Sequence, residues 1–192
     1  MEDRLLDKVA EPFNLQLPEY DSMEAMLDGI LPALKSASRY RLPTEADDDV
    51  TNNPLYHNNW VRLSDTPGDT QVVLYNFQFT GNIRIATDGE ISSSSFDIDS
   101  AYRMTMGDSP HRGAILYDLV FLNNDYFILA RHGNANNFKR KYVAFCTEAI
   151  GRRLSWSEAL ERLVAQHHNT QFPYVWLLAF VAIVAGLLYF LT

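Results

Sequence analysis

The sequence predicts a mainly β protein, α+β overall: an eight-stranded antiparallel meander, closed as a barrel or stacked as a two-sheet sandwich. An N-terminal helix precedes it and a C-terminal transmembrane helix follows. Three observations point there. Between residues 58 and 147 apolar side chains alternate with a period of two. Turn signals rich in Gly, Pro, Asn and Asp interrupt that stretch at short, regular intervals. No segment of helical period lies between the strands, which argues against the crossovers of a parallel α/β fold.

The bulk composition suits such a domain with appendages. The chain has 192 residues, of which 47% are apolar and 21% charged. Sixteen Lys and Arg against 24 Asp and Glu leave a net −8, and a duplex nucleic-acid binder needs the opposite, a concentrated basic footprint. No nucleic-acid partner is therefore expected. The lone cysteine, Cys146, excludes a disulfide within the chain and a zinc site built from several cysteines.

The first zone, residues 1–55, reads as a helical, acidic arm and linker. Asp21-Ser22-Met23-Glu24 resembles a capping box. Met23, Met26, Leu27, Ile30, Leu31 and Leu34 then recur at helical spacing, and Pro32 is expected to end or kink that helix. Glu45 to Asp49, followed by Thr-Asn-Asn-Pro, reads as a solvated linker. It lacks the turn glycine and closing glutamate of an EF-hand loop.

The β zone, residues 56–150, holds strands expected near 59–64, 71–79, 82–87, 91–98, 101–106, 113–122, 126–131 and 139–147. Val73, Tyr75, Phe77 and Phe79 share a face, as do Phe96 and Ile98 against Asp97 and Asp99. Tyr102, Met104 and Met106 alternate with Arg103 and Thr105, so six aromatic or methionine side chains are expected to line a barrel interior. Longer apolar runs follow at 114–122, 126–130 and 142–146.

Residues 151–171 form an amphipathic helix and hinge. Ser155-Trp156-Ser157-Glu158 is a second capping box, and Trp156, Leu160, Leu163 and Val164 fall on one side, expected to pack on the β domain as a strut, with the bilayer surface as the alternative seat. From Phe172 to Leu191 the chain then runs twenty residues without a charge, enough helix to cross roughly 30 Å of hydrocarbon. Tyr174 and Trp176 mark one interface and Tyr189 the other, while Pro173 sits in the first turn, where its missing N–H costs little. Ala182 and Gly186 are a small-xxx-small pair through which two spans can pack as a homodimer.

Only Thr192 follows this segment and the first residues do not resemble a signal peptide, so the reading is a single-pass, tail-anchored protein with its N-terminal domain in the cytosol. Residues 126–192 carry seven basic and three acidic groups, a net +4, whereas residues 1–57 carry five and twelve. A basic layer next to the span fits a cytosolic, anionic membrane face. The absence of Asn-x-Ser/Thr sites agrees.

Signals for chemistry are sparse. In a simple meander the loops at 65–70, 88–90, 107–112 and 132–138 share one end, which gathers Asp88, Asp108, His111, Arg112 and His132 on one rim, with Asp65, Asp69 and Glu90 beside them. Two histidines among carboxylates are the ingredients of a metal site or of acid–base work. Solvated turn residues give the same pattern, and no fixed ligand spacing supports the sharper reading. No nucleophile elbow and no phosphate-cradling glycine loop occurs, and Cys146 lies in an apolar run. No catalytic residue, metal or cofactor is assigned. The expected function is a membrane-tethered adaptor that recruits a protein partner, with a lipid- or small-ligand-binding barrel as the alternative.

Overall fold

The structure, a computed structural model, describes residues 20–34, 38–44, 50–69, 71–107, 113–133 and 140–168. Eight strands form in the expected order: β1 (Trp60–Arg62), β2 (Val73–Phe77), β3 (Asn82–Thr87), β4 (Glu90–Ser100), β5 (Arg103–Met106), β6 (Ile115–Leu122), β7 (Tyr126–Arg131) and β8 (Tyr142–Thr147). Each pairs antiparallel with the next, and β8 returns to β1 through Trp60↔Thr147, Val61↔Cys146 and Arg62↔Phe145. The meander closes as a barrel, so each of the eight strands has a paired neighbour on both sides.

Alternation sorts the side chains to two sides of this wall. Trp60, Phe77, Ile83, Phe96, Met104, Tyr117, Leu122, Phe127, Leu129 and Phe145 form one buried cluster inside. Phe127 and Phe145 stack at 5.5 Å between ring centroids, and Phe77 meets Phe96, Phe127 and Phe145 edge-on. Two residues expected in this interior are not there. Phe79 lies in the turn after β2 and Tyr102 in the turn before β5, where the period-two rule lapses, and they are 58% and 60% exposed.

A second buried cluster lies outside the wall. Helix α1 (Met23–Leu34) lays Met23, Met26, Leu27, Ile30, Leu31 and Leu34 against it. The last helix, α4 (Trp156–His168), adds Ala159, Leu160 and Leu163 beside outward residues such as Val61, Phe121, Ile128 and Cys146. Strand β7 is thus covered on both faces, and its sequence YFILAR is apolar almost throughout. On the opposite side Arg84, Ser93 and Asp97 point into water. The strut expected at α4 is observed.

Capping chemistry sets both helices. At α1 the Ser22 hydroxyl accepts from the Ala25 N–H, while the Met23 N–H donates to Asp65 on the β1–β2 loop at 3.0 Å. The reciprocal glutamate is missing: Glu24 instead accepts from the Lys141 N–H. The helix also continues two residues past Pro32 rather than ending there. At α4 the capping box is complete, with the Ser155 N–H on Glu158 at 2.8 Å and the Glu158 N–H on the Ser155 hydroxyl at 3.4 Å.

A strap, residues 38–44, closes one end of the barrel. The Arg39 and Tyr40 N–H groups donate to the Leu122 carbonyl, and the Leu42 N–H donates to Ala101. Helix α2 (Pro54–His57) follows, capped by Asn53, and its Leu55 carbonyl accepts from the Trp60 indole at 3.0 Å. Leu42 and Leu55 are fully buried at this end, so part of the N-terminal arm completes the barrel core. Helix α3 (Glu148–Gly151) turns the chain from β8 over β1 toward α4. Gln166, near the end of α4, donates to Asp125 in the β6–β7 turn, which lies at the strapped end. Among the described residues no helix is long and apolar enough to cross a membrane. The expected span, with Pro173, Tyr174, Trp176, Ala182, Gly186 and Tyr189, and the linker 45–49 lie outside the described residues.

Candidate functional site

The expected rim is divided by the structure. The meander does put the β1–β2, β3–β4, β5–β6 and β7–β8 loops at one end, but Asp108, His111 and Arg112 lie outside the described residues. Asp88 occupies the first corner of a two-residue hairpin turn, at φ 49°, followed by Gly89 at φ 89°. Both left-handed angles are what a type I′ turn requires, so the turn accounts for these residue types. Asp88 there borders an outer-wall cleft with Leu74, Ala86 and Arg152. Asp65 holds the start of α1 and pairs with Arg140 at 3.4 Å. Asp69 accepts from the Gln71 N–H in a local turn.

His132 finds different partners. Its Nδ1 lies 2.7 Å from Asp118 Oδ2, and Arg103 Nε donates to Asp118 Oδ1 at 2.9 Å. The register Arg103↔Asp118 sets the pair on the outer face of β5 and β6. Partial burial pushes the Asp118 carboxyl up, yet the hydrogen bonds from His132 and Arg103 outweigh it and hold the group below the usual carboxylate range. Asp118 and Arg103 escaped the sequence reading because both belong to strands and not to the rim loops, and only the register joins them to His132. The triplet lies on an open wall and among the described residues no group of three His, Cys, Asp or Glu can hold a metal. Its chemistry is that of a surface ion pair.

The better-shaped feature is a groove of about 650 Å³ beside the strapped end. Pro43 and Val50 flank the strap side, Phe96 and Ile98 lie along β4, and Asp97 and Asp99 line the groove from the same strand. Tyr56 of α2 packs on Phe79 at a tilt of 42°, with 4.2 Å between centroids, and reaches toward Phe96 at 6.4 Å. Burial raises the Tyr56 hydroxyl above the ordinary phenol range. The Phe79 position is set by its turn: the Gly81 N–H donates to Gln78 at 3.0 Å, and Gly81 takes φ +79° while its carbonyl receives Phe96 N–H. A Cβ at Gly81 would lie 3.1 Å from the Phe96 carbonyl, so the turn is tied closely to β4. The result is an aromatic lip over an acidic strand, with no basic residue in the lining among the described residues. The strap and the exposure of Phe79 carry no periodic signal, which is why the groove was invisible in the sequence.

No family model, curated protein or solved structure matches this chain.

Proposed function

We propose that this protein is a membrane-anchored adaptor: its cytosolic barrel recruits a protein partner, and Phe172–Leu191 holds it to the bilayer. The observation that carries the adaptor reading over the ligand-carrying one is the filled interior. Trp60, Phe77, Phe127 and Phe145 are at most 1% exposed and their rings pack on one another, so aromatic side chains occupy this part of the interior. The rigid seat of α4 supports anchoring, because a helix fixed to the barrel transmits the position of whatever follows it. The apolar face of α1 is spent on the barrel wall, so a partner has to meet another surface.

Gentle purification of the full-length protein from its native membrane tests this reading. A stoichiometric protein partner is expected. A bound lipid or small molecule without a protein would favour the ligand-binding barrel and sink the adaptor. Membrane attachment is tested separately by flotation with liposomes. Ala182→Arg places a charge near the centre of the span at a cost of about 2.5–3.5 kcal/mol and is expected to abolish flotation. The homodimer through Ala182 and Gly186 is tested by Gly186→Leu in a membrane self-association reporter, where an unchanged signal would remove it.

A further inference from the structure

We infer that the groove beside Phe79 is the partner seat, and that it takes an extended peptide segment in which basic side chains alternate with apolar ones. This inference deepens the adaptor reading and rests on it. Three features of the groove select that occupant. Among the described residues its lining includes two carboxylates, Asp97 and Asp99, both exposed, and no Lys, Arg or His. Its lip is an aromatic pair, Tyr56 and Phe79, with Phe79 58% exposed although large and apolar. Its apolar lining includes Pro43, Val50 and Ile98.

Each feature reads one part of a peptide. An exposed ring beside carboxylates attracts a guanidinium or ammonium group over its face, while the carboxylates neutralise the charge. The apolar lining accepts the neighbouring aliphatic or aromatic side chain. An acidic peptide would face Asp97 and Asp99 with no counter-charge, so like-charge repulsion excludes it. A wholly apolar segment would desolvate the Asp97 and Asp99 carboxylates without neutralising them, although Asp99 already accepts from the Thr105 hydroxyl at 3.1 Å.

The test uses full-length protein in nanodiscs and two labelled decapeptides, one alternating arginine with leucine and one alternating glutamate with leucine. Fluorescence anisotropy is expected to show at least tenfold tighter binding of the arginine peptide. Phe79→Ala is expected to weaken it at least fivefold with an unchanged unfolding temperature, since Phe79 is a turn residue outside the core. Asp97→Lys is expected to reverse the preference between the peptides. Glu90→Lys, an equal charge change at the far end of the barrel, is expected to leave it in place. Equal affinities for wild type and Phe79→Ala, or equal reversal by Asp97→Lys and Glu90→Lys, would overturn the seat. Spermidine competing as tightly as the peptide would replace the peptide with a small cation. A native partner retained by both Phe79→Ala and Asp97→Lys would overturn the groove and spare the adaptor, whereas a wild-type protein that brings no partner fails the adaptor itself.

Discussion

Tyr126 donates its hydroxyl to the main-chain carbonyl of Ala159 at 2.7 Å, and neither residue is exposed to solvent. This contact joins the first residue of β7 to the helix that leads toward the apolar segment. Burial, reinforced by Cys146 and Asp125, pushes the phenol well above its ordinary range, so it remains a donor at every physiological pH. The barrel and α4 are thereby one unit.

Tyr126→Phe keeps the ring and removes the donor. The expected loss is about 1 kcal/mol, the usual net value of one hydrogen bond, read as a fall of about 2–4 °C in unfolding temperature. Hydrogen exchange should rise mainly in α4, because the contact is its polar tie to β7. Exchange rising equally in β7 and β8 would show that the residue supports the barrel instead.

Two glycines are expected to respond oppositely to alanine. At Gly151 a Cβ would sit 2.5 Å from the Val61 Cβ and 2.9 Å from the Cys146 Sγ, where α3 crosses β1 and β8. These are fixed core atoms, so Gly151→Ala overpacks the joint at a cost of about 1–3 kcal/mol. At Gly29 the nearest atom is the Tyr20 hydroxyl oxygen at 2.6 Å, the far end of a side chain that can swing away. There the helix propensity of alanine acts, and Gly29→Ala is expected to be neutral or to stabilise by up to about 1 kcal/mol. Urea unfolding of the two variants checks both; a larger loss at Gly29 than at Gly151 would contradict the packing.

Acid is expected to loosen α1 first. Asp28 accepts from Lys141 Nζ at 2.5 Å and from the Tyr142 hydroxyl at 2.6 Å, which fastens α1 to the start of β8. Burial raises the Asp28 carboxyl, but those hydrogen bonds outweigh it and hold its folded pKa below the usual carboxylate range. A carboxyl depressed in the folded state contributes stability that is present above its unfolded pKa, near 3.9, and is lost as pH falls through the folded value. Since both partners are more than a third exposed, the contribution is small, at most about 1 kcal/mol. Asp28→Asn should therefore flatten the acid limb of stability between about pH 5 and pH 2. An unchanged limb would assign acid sensitivity elsewhere.

The strands were legible because a barrel wall with one wet face writes its period into the sequence, as Phe96-Asp97-Ile98-Asp99 does. Where α1 and α4 cover the outside, the period is lost, and Tyr126–Arg131 showed only that it was apolar. Closure was not legible, because the pairing of Trp60 with Thr147 depends on shear summed over eight strands. The register shift between Leu119 and Phe121 also flips the phase, placing Phe121 outside and Leu122 inside. The groove failed to appear for a related reason: Phe79 continues the alternation of β2 on paper, but the turn at Gly81 takes it out of the wall. His132 could be placed on a rim, but not beside Asp118, which is fourteen residues away and aligned only by pairing.

Cys146 offers a clean probe of the whole arrangement. It is fully buried under α3, and burial, with the Asp125 charge as a lesser cause, pushes its thiol up to about 12. A free cysteine near 8.5 has roughly a thousandfold more thiolate at neutral pH, so the native protein should resist maleimide and react only as it opens. Labelling should follow the unfolding transition in urea, without an earlier phase. Fast labelling of the native chain would show that the joint of α3, β1 and β8 opens on its own. With Cys146 silent, Phe79→Cys supplies a reporter at the groove in the full-length chain. It should label rapidly when free and slowly once the arginine–leucine peptide is bound, which ties occupancy of the groove to one named position.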